Sequence, residues 1–237
     1  DSLRFNTDTA SLEYFKGDTV NWTQIEMTSP DLDGGARGLI MGGYGSPDTS
    51  MEEISYLTIS TLGNTQDFGD LAAGQNANAG LSSRTRGLSI GGSLASPVGR
   101  VNTIEFFTFA SLGDATDFGD MSYTTAVSSN SSAQSSTRGI LGGGTPSTTN
   151  TIEYITIATL GNSQDFGDLT QNRNGLGAMS SPTRVVFAGG SIFPSHFNVM
   201  DKIEILTTGN AVDFGDITGD SGEVFHPNTT SNGHGGL

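Results

Sequence analysis

Strand-like patterns of apolar and polar residues recur along the chain about every 48 residues. In the clearest copy, from Ile152 to Ile157, β-branched and aromatic side chains alternate with a period of two, which is typical of a β-strand. Both alternating faces carry apolar groups, so we expect the strand to be covered on both sides. The pattern predicts many short strands rather than helices. Its four copies read MEEISYLTIST, NTIEFFTFASL, NTIEYITIATL and DKIEILTTGNA.

The tetrapeptide DFGD marks the same period more sharply. Its four copies begin 50, 48 and 48 residues apart, at Asp67, Asp117, Asp165 and Asp213. Self-similarity at a fixed period of roughly 20 to 50 residues indicates a repeat architecture. Each unit offers four strands: one before a repeated arginine, one running into a glycine pair, the alternating strand, and a short one through DFGD. The repeated arginines are Arg37, Arg86, Arg138 and Arg184.

A four-stranded antiparallel unit that is covered by its neighbours on both faces is a blade of a β-propeller, and a blade takes about 40 to 50 residues. The units resemble the kelch repeat, with a glycine pair closing the second strand (Gly42-Gly43), Tyr56 in the third strand and the aromatic Phe68 in the fourth. The resemblance extends through the later copies up to residue 216, although the aromatic residue of the fourth strand is Phe rather than the family's usual Trp. The resemblance implies an all-β, kelch-like β-propeller.

The two ends of the chain complement each other. Residues 12 to 15 (LEYF) look like the Ile-Glu-Tyr-Ile strand, and Trp22 stands where Phe would. Residues 231 to 237 (SNGHGGL) resemble SSRTRGL at 82 to 88. We therefore predict a single propeller over residues 1–237 with five blades, because pairing the termini would leave no open sheet edge. Four repeats occupy 28–216, and an N-terminal meander (1–27) joins closing strands (217–237) in a composite blade. The alternative is four blades and a separate N-terminal β-meander.

DFGD also invites comparison with the metal-binding Asp-Phe-Gly of protein kinases. That function needs a phosphate-pairing lysine and a His-Arg-Asp loop. The only two lysines, Lys16 and Lys202, lie in other contexts, and no His-Arg-Asp occurs. We predict a structural role instead: Phe packs against the neighbouring blade, Gly allows a close approach, and the two Asp accept hydrogen bonds from turn amides. The four phenylalanines are Phe68, Phe118, Phe166 and Phe214.

Two further roles for the DFGD carboxylates stay open. Calcium prefers carboxylate oxygens, but its loops usually bring three or more oxygen ligands close together, whereas DFGD offers two carboxylates. Alternatively, the repeated arginines pair with these carboxylates within or between blades, since bidentate Arg–carboxylate contacts are charge-assisted. No other cofactor is predicted. The eight carboxylates are Asp67, Asp70, Asp117, Asp120, Asp165, Asp168, Asp213 and Asp216.

Composition narrows the classes of partner and of chemistry. The formal net charge of -15 repels phosphate backbones and anionic lipid, so neither nucleic acid nor a membrane is an expected partner. The absence of cysteine excludes disulfides, thiolate metal sites and cysteine nucleophiles. The three histidines, His196, His226 and His234, show no metal-binding or catalytic spacing. We therefore predict that the protein is not an enzyme.

The loops after the glycine pairs vary most between units. They read YGSPDTS, SLASPVGRV, GTPSTTN and SIFPSHFNVM. Propellers usually bind ligands at faces that such loops line. The last loop has the most aromatic character, so we predict that it contacts a ligand or partner through Ile192, Phe193, His196 and Phe197.

The opening segment, SLRFNTDTASLEYFKGDTVNWTQI, closely resembles a module of phage tail-fibre and other virion proteins. The T-R-G and G-N-x-x-D-F-G-D repeats are similar to those of structural proteins of marine tailed phages of the cyanophage type. The resemblance implies a solvent-exposed tail fibre, spike or capsid decoration on the virion surface, in multiple copies on a symmetric assembly. Its expected partners are other virion proteins and a host surface glycan or protein. Two alternatives are a glycan-cleaving propeller enzyme and a non-viral kelch-type interaction module.

Overall fold

The computed structural model describes an all-β protein, as predicted. The described residues are 3–6, 11–15, 22–24, 37–45, 49–95, 99–122, 132–144, 148–218, 224 and 227–231. Their strands form several antiparallel sheets. Within these residues no helix is long and apolar enough to cross a membrane. The chain divides into two compact units, Asp1–Leu32 and Asp33–Leu237.

The N-terminal unit is a three-stranded antiparallel meander. Its strands are β1 (Leu3–Asn6), β2 (Ser11–Phe15) and β3 (Trp22–Gln24), in that order across the sheet. Trp22 lies directly opposite Phe15, with ring centroids 5.4 Å apart. In the second and third repeats, the DFGD phenylalanine is instead the unpaired residue of a bulge opposite the Ile-Glu positions of the neighbouring strand. Trp22 therefore does not take the register position of that phenylalanine, contrary to our expectation.

The described residues of the larger unit form four antiparallel meanders at the positions of the predicted repeats. The first contains β4 (Arg37–Met41), β5 (Tyr44–Gly45), β6 (Thr49–Thr58) and β7 (Gln66–Asn76). The second contains β8 (Ala79–Ser82), β9 (Arg86–Leu94), β10 (Gly99–Thr108) and β11 (Thr116–Asp120). The end of β7 also pairs with β9, which joins these two meanders edge to edge.

The third and fourth meanders repeat the same order. The third contains β12 (Ser132–Gln134), β13 (Arg138–Gly142), β14 (Thr149–Thr156) and β15 (Gln164–Arg173). The fourth contains β16 (Gly177–Ser180), β17 (Arg184–Ala188), β20 (Val199–Glu204) and β21 (Val212–Asp216). A small hairpin of β18 (Ser191–Ile192) and β19 (Ser195–His196) lies between β17 and β20 in the chain.

The hydrophobic core lies between successive meanders. One cluster joins the first and second meanders through Ile54, Phe68 and Phe107. Two larger clusters join the second to the third and the third to the fourth. The second and third meanders thus bury apolar side chains on both faces, which explains why their central strands show no polar face.

The first strands of the second, third and fourth meanders lie side by side. The Ser82 amide donates to Gln134 Oε1 at 2.5 Å, and the Ser180 hydroxyl donates to the Gln134 carbonyl at 2.9 Å. The Ser231 hydroxyl donates to the Ser180 carbonyl in the same way, at 2.7 Å. Ser231 therefore lies one repeat after Ser180, as its likeness to Ser82 predicts.

The composite fifth blade stays a prediction. Parts of it, residues 7–10, 16–21, 25–27, 219–223, 225–226 and 232–237, lie outside the described residues. So do residues 28–36, where the first strand of the first repeat was expected.

Candidate functional site

The DFGD strand of each of the first three meanders pairs with a turn of the next meander. The Gly113 amide donates to the Phe68 carbonyl, and the Ala115 amide donates to the Asp70 carbonyl, both at 2.8 Å. We call the turn a Gly-Asx turn and the whole set of contacts a junction. The four Gly-Asx turns are Gly63-Asn64, Gly113-Asp114, Gly161-Asn162 and Gly209-Asn210. The second and third junctions repeat the bonds: Gly161 to Phe118, Ser163 to Asp120, Gly209 to Phe166 and Ala211 to Asp168.

The DFGD glycine is required by this close approach. Gly119 has a φ of +148°, which side chains rarely adopt, and a Cβ placed on it would lie 2.6 Å from the carbonyl carbon of Gly161. The corresponding distances are 2.4 Å for Gly69 against Gly113 and 2.5 Å for Gly167 against Gly209. The tetrapeptide therefore docks main chain against main chain.

The DFGD phenylalanines differ between the inner repeats and the last one. Phe68, Phe118 and Phe166 are 2%, 3% and 2% exposed, because the next meander covers them. Phe214 is 50% exposed, since no Gly-Asx turn pairs with its strand in the described part of the chain. Burial of this side chain thus depends on the following repeat.

The DFGD carboxylates play a smaller part in the junctions than expected. The amide of the last aspartate donates to the side chain of the Gly-Asx turn, as in the bond from Asp120 to Asn162 Oδ1 at 3.0 Å. The oxygen acceptor therefore belongs to the turn. Among the described residues, only Asp213 accepts an amide bond through its own DFGD carboxylate, from Gly215. No group of three or more acidic or histidine side chains able to hold a metal ion occurs in these residues.

The repeated arginines form different contacts from the ion pairs that we predicted. Arg138 donates to the Ile205 carbonyl of the next meander at 2.9 Å and lies over the ring of Tyr154, 4.5 Å from its centroid. Among the described residues, none of the four repeated arginines forms an ion pair with a DFGD carboxylate. A ring face and a carbonyl oxygen both attract the guanidinium, and they bind it across the junction. The equivalent bonds run from Arg37 to Phe109 and from Arg86 to Ile157 and Ala158.

Arg184 differs because its own meander has no aromatic ring at the position that matches Tyr154. The strand register puts Lys202 where the third meander has Tyr154. Arg184 therefore pairs with Glu204, its direct neighbour across the strands, at 2.8 Å. Both side chains are nearly half exposed, so this ion pair adds little to stability.

Each junction also buries one carboxylate, which the sequence analysis did not single out. Glu105, Glu153 and Asp201 are 4%, 1% and 0% exposed. Each accepts a hydrogen bond from a backbone amide of the preceding meander, two residues after the end of its DFGD. The donors are Ala72 for Glu105, Ser122 for Glu153 and Thr170 for Asp201. The register shows that Asp201 matches Glu153, whereas the Ile-Glu letters shared by the two segments would place the acid three residues later, at Glu204. An acid within a strand covered on both faces was the available signal.

The buried carboxylates have different partners. Glu105 accepts from the Gln75 amide at 3.1 Å, and burial raises its pKa above the ordinary value. Asp201 accepts from Arg173 at 2.6 Å, and both side chains are fully buried. Burial lowers the pKa of Arg173, although the charge and hydrogen bond of Asp201 oppose that shift. The same guanidinium also donates to the carbonyls of Gly189 and Val199.

The predicted contact loop forms a short hairpin with an exposed tip. Phe193 is 89% exposed and Ile192 is 39% exposed, whereas His196 and Phe197 are half-buried. Main-chain bonds fix the base of the hairpin, because Ser191 pairs with Asn174 and the Phe197 amide donates to the Gly190 carbonyl. An aromatic side chain is thus presented to solvent on a fixed backbone.

A cavity of about 500 Å³ lies among the first strands. Ser82, Gln134 and Ser180 line one side of it, and residues 229–231 line another. Arg37 and other residues of β4 complete the wall.

No protein-family model and no curated protein sequence matches this chain. A function is therefore inferred from the chemistry of the described residues and from the sequence resemblance.

Proposed function

We propose that this chain is a structural protein on the surface of a tailed-phage virion and that it binds a host or virion partner through the Ile192–Phe197 hairpin. The observation that carries the proposal is Phe193, the most exposed aromatic side chain among the described residues, at the tip of an anchored hairpin. Exposed aromatic residues on fixed loops provide binding energy at a low entropic cost. The opening module and the repeats supply the link to the virion.

We further propose that the meanders are blades of a β-propeller. Three features support this: successive meanders pack face to face, their first strands lie side by side, and each junction uses the same atoms. A propeller places the loops between second and third strands at one end of the blades, where ligands bind.

A binding experiment tests the role of the hairpin. Labelled protein is applied to host cells and to a glycan array, and Phe193→Ala is compared with the unchanged protein. We expect binding to fall at least about tenfold, since truncation of an interface anchor typically costs more than 1.4 kcal/mol. Leu112→Ala is the matched control, because Leu112 is also exposed (58%) but lies beside a Gly-Asx turn. Equal binding by both variants would contradict the hairpin's role.

Two further measurements separate the alternatives. Release of reducing sugar from a bound glycan would identify a glycan-cleaving enzyme and overturn the proposal of binding alone. Mass spectrometry and cryo-EM of purified particles should detect this chain on the fibre, spike or capsid face. Absence of the chain from intact particles would favour the non-viral interaction module.

A further inference from the structure

The first and fourth meanders each retain one half of a junction. In the fourth, the main-chain groups of Phe214 and Asp216 that bind the next meander in the other repeats have no partner among the described residues. Gly215 keeps the positive φ of its counterparts, +129°, and the space beside it is open. The fourth DFGD strand therefore has the amide donor, the carbonyl acceptors and the open space beside glycine that a junction needs, but no described Gly-Asx turn contacts them.

The first meander presents the missing turn. In the described part of the chain, the amides of Gly63 and Thr65 and the side chain of Asn64 make no hydrogen bond. Ile59 is 66% exposed, whereas its counterparts in the other meanders are at most 7% exposed. These counterparts are Phe109, Ile157 and Ile205. The surface of the first meander is thus apolar where the others are covered by a preceding repeat.

A second pair of incomplete elements faces the same gap. Among the described strands, β4 pairs only with β6, although the second strand of every other meander also pairs with a first strand. Conversely, residues 229–231 lie in a first-strand position, and no described strand pairs with them as a second strand. Both line the cavity of about 500 Å³.

We infer that the chain forms a fourth junction, in which the Gly63-Asn64 turn of the first meander docks on the fourth DFGD strand of the same molecule. By analogy with the three junctions described, Gly63 donates to the Phe214 carbonyl and Thr65 donates to the Asp216 carbonyl. Arg184 then leaves Glu204 and donates to the Ile59 carbonyl, as Arg138 donates to Ile205. Docking of the first meander on the fourth would thus supply partners for the free hydrogen-bonding groups of both meanders. It would also cover a free sheet edge on each of them.

The same closure assigns residues 229–231 to the first meander as its first strand. The resulting ring contains four sheets, which corresponds to the four-blade alternative and not to the composite fifth blade. The inference does not depend on the binding role of the hairpin.

Disulfide trapping tests the fourth junction, and a chain without cysteine suits it. The pair Asn64→Cys with Asp216→Cys reproduces positions that the junctions bring together, since Asp120 N lies 3.0 Å from Asn162 Oδ1. The control pair is Asp120→Cys with Asn162→Cys. A disulfide requires Cα atoms within about 7 Å of each other. We expect an oxidised monomer that has lost two hydrogens, to an extent comparable with the control.

The other outcomes overturn the inference. Cross-linked dimers would show that the turn comes from a second copy of the chain. A control that cross-links while the test pair does not would leave the fourth DFGD strand to another segment, such as the N-terminal meander.

Amide hydrogen exchange of the unmodified protein provides a second measurement that needs no variant. We expect the Gly63 and Thr65 amides to exchange at least about 100-fold more slowly than free amides, as those of Gly161 and Ser163 should. Free exchange at Gly63 and Thr65, beside protection at Gly161 and Ser163, would overturn the inference even if neither cysteine variant folds.

Discussion

The first and third junctions share their main-chain contacts and differ in the side chains buried beside them. In the first, a neutral amide from Gln75 faces the Glu105 carboxylate; in the third, the guanidinium of Arg173 faces the Asp201 carboxylate. The first arrangement buries one carboxyl group whose pKa is raised by burial, while the third buries two opposite charges. The backbone therefore defines a junction, and the side chains near each buried carboxylate differ from one junction to the next.

Of the substitutions that test this difference between junctions, removal of the Asp201 carboxylate should reduce the free energy of unfolding most. Asp201→Ala leaves the fully buried Arg173 without a counter-charge, so we expect the free energy of unfolding to fall by about 3–5 kcal/mol. Chemical denaturation measures this loss. The double variant Arg173→Met, Asp201→Leu should recover most of it, because an apolar pair leaves no buried charge. A loss below about 1 kcal/mol for Asp201→Ala would mean that water reaches Arg173.

Substitution of a DFGD glycine, which allows the main-chain contacts common to the junctions, should reduce stability nearly as much. Gly167→Ala combines a positive φ with a Cβ 2.5 Å from the Gly209 peptide, so we expect a loss of about 3 kcal/mol. Gly38→Ala is the control, because its Cβ would make only ordinary contacts, the nearest at 3.5 Å. It should change stability by less than about 1 kcal/mol. Equal melting temperatures for the two variants would show that the junction shifts to accept a methyl group.

Arginine substitution should have a moderate effect that depends on the repeat. Arg138→Lys weakens the contact with Tyr154 and the bond to the Ile205 carbonyl, which should cost about 1 kcal/mol. Urea titration of Arg138→Lys beside Tyr154→Leu and the double variant gives the coupling energy of the ring contact. Strict additivity would assign Arg138 to its carbonyl bond alone.

The smallest effect concerns the pH dependence of the first junction. Burial raises the pKa of Glu105, so the folded state holds this proton more tightly than the unfolded state. The stabilisation is present below the ordinary pKa of Glu and is lost as pH rises through the raised value in the folded state. Glu105→Gln keeps an acceptor for the Ala72 amide, and we expect it to change stability at low pH by less than about 1 kcal/mol.

Thermal unfolding should be measured from below the ordinary pKa of Glu to above the raised pKa of Glu105. We expect the melting temperature to decline less steeply with rising pH for Glu105→Gln than for the unchanged protein. Parallel curves would contradict a raised pKa at Glu105. Asp201→Asn is not an equivalent control, since it would leave Arg173 without a counter-charge.

The strands could be predicted from the sequence because repetition supplied four copies of each local pattern. The need for glycine in DFGD was also predictable, since a repeated glycine beside an aromatic residue indicates a close approach. The actual partner, a Gly-Asx turn one repeat later, was not, because no local pattern specifies which surface approaches. The contacts of the arginines were predicted incorrectly because charge counting favours carboxylates over carbonyls and ring faces.

The fourth repeat shows a different limit of the sequence. The letters DKIEIL align with NTIEYI by their Ile-Glu pair, yet the structure matches Asp201 to Glu153 and Lys202 to Tyr154. Hydrogen bonding selected the acid that could reach Thr170 and Arg173, and this depends on neighbours distant in the chain. Sequence similarity within a repeat therefore gave the strand and not its register.

The main-chain character of the junctions also bears on protein engineering. Carbonyls, amides and one glycine hold successive meanders together, and the described residues of the loops between second and third strands take no part in these DFGD bonds. In the last loop, Ser191 and Phe197 make separate main-chain bonds to Asn174 and Val224. Residues 192–196 can thus be exchanged for other sequences, as antibody loops are on their framework, while Ser191, Phe197 and the inter-repeat bonds remain. The chain would serve as a cysteine-free scaffold for grafted recognition loops.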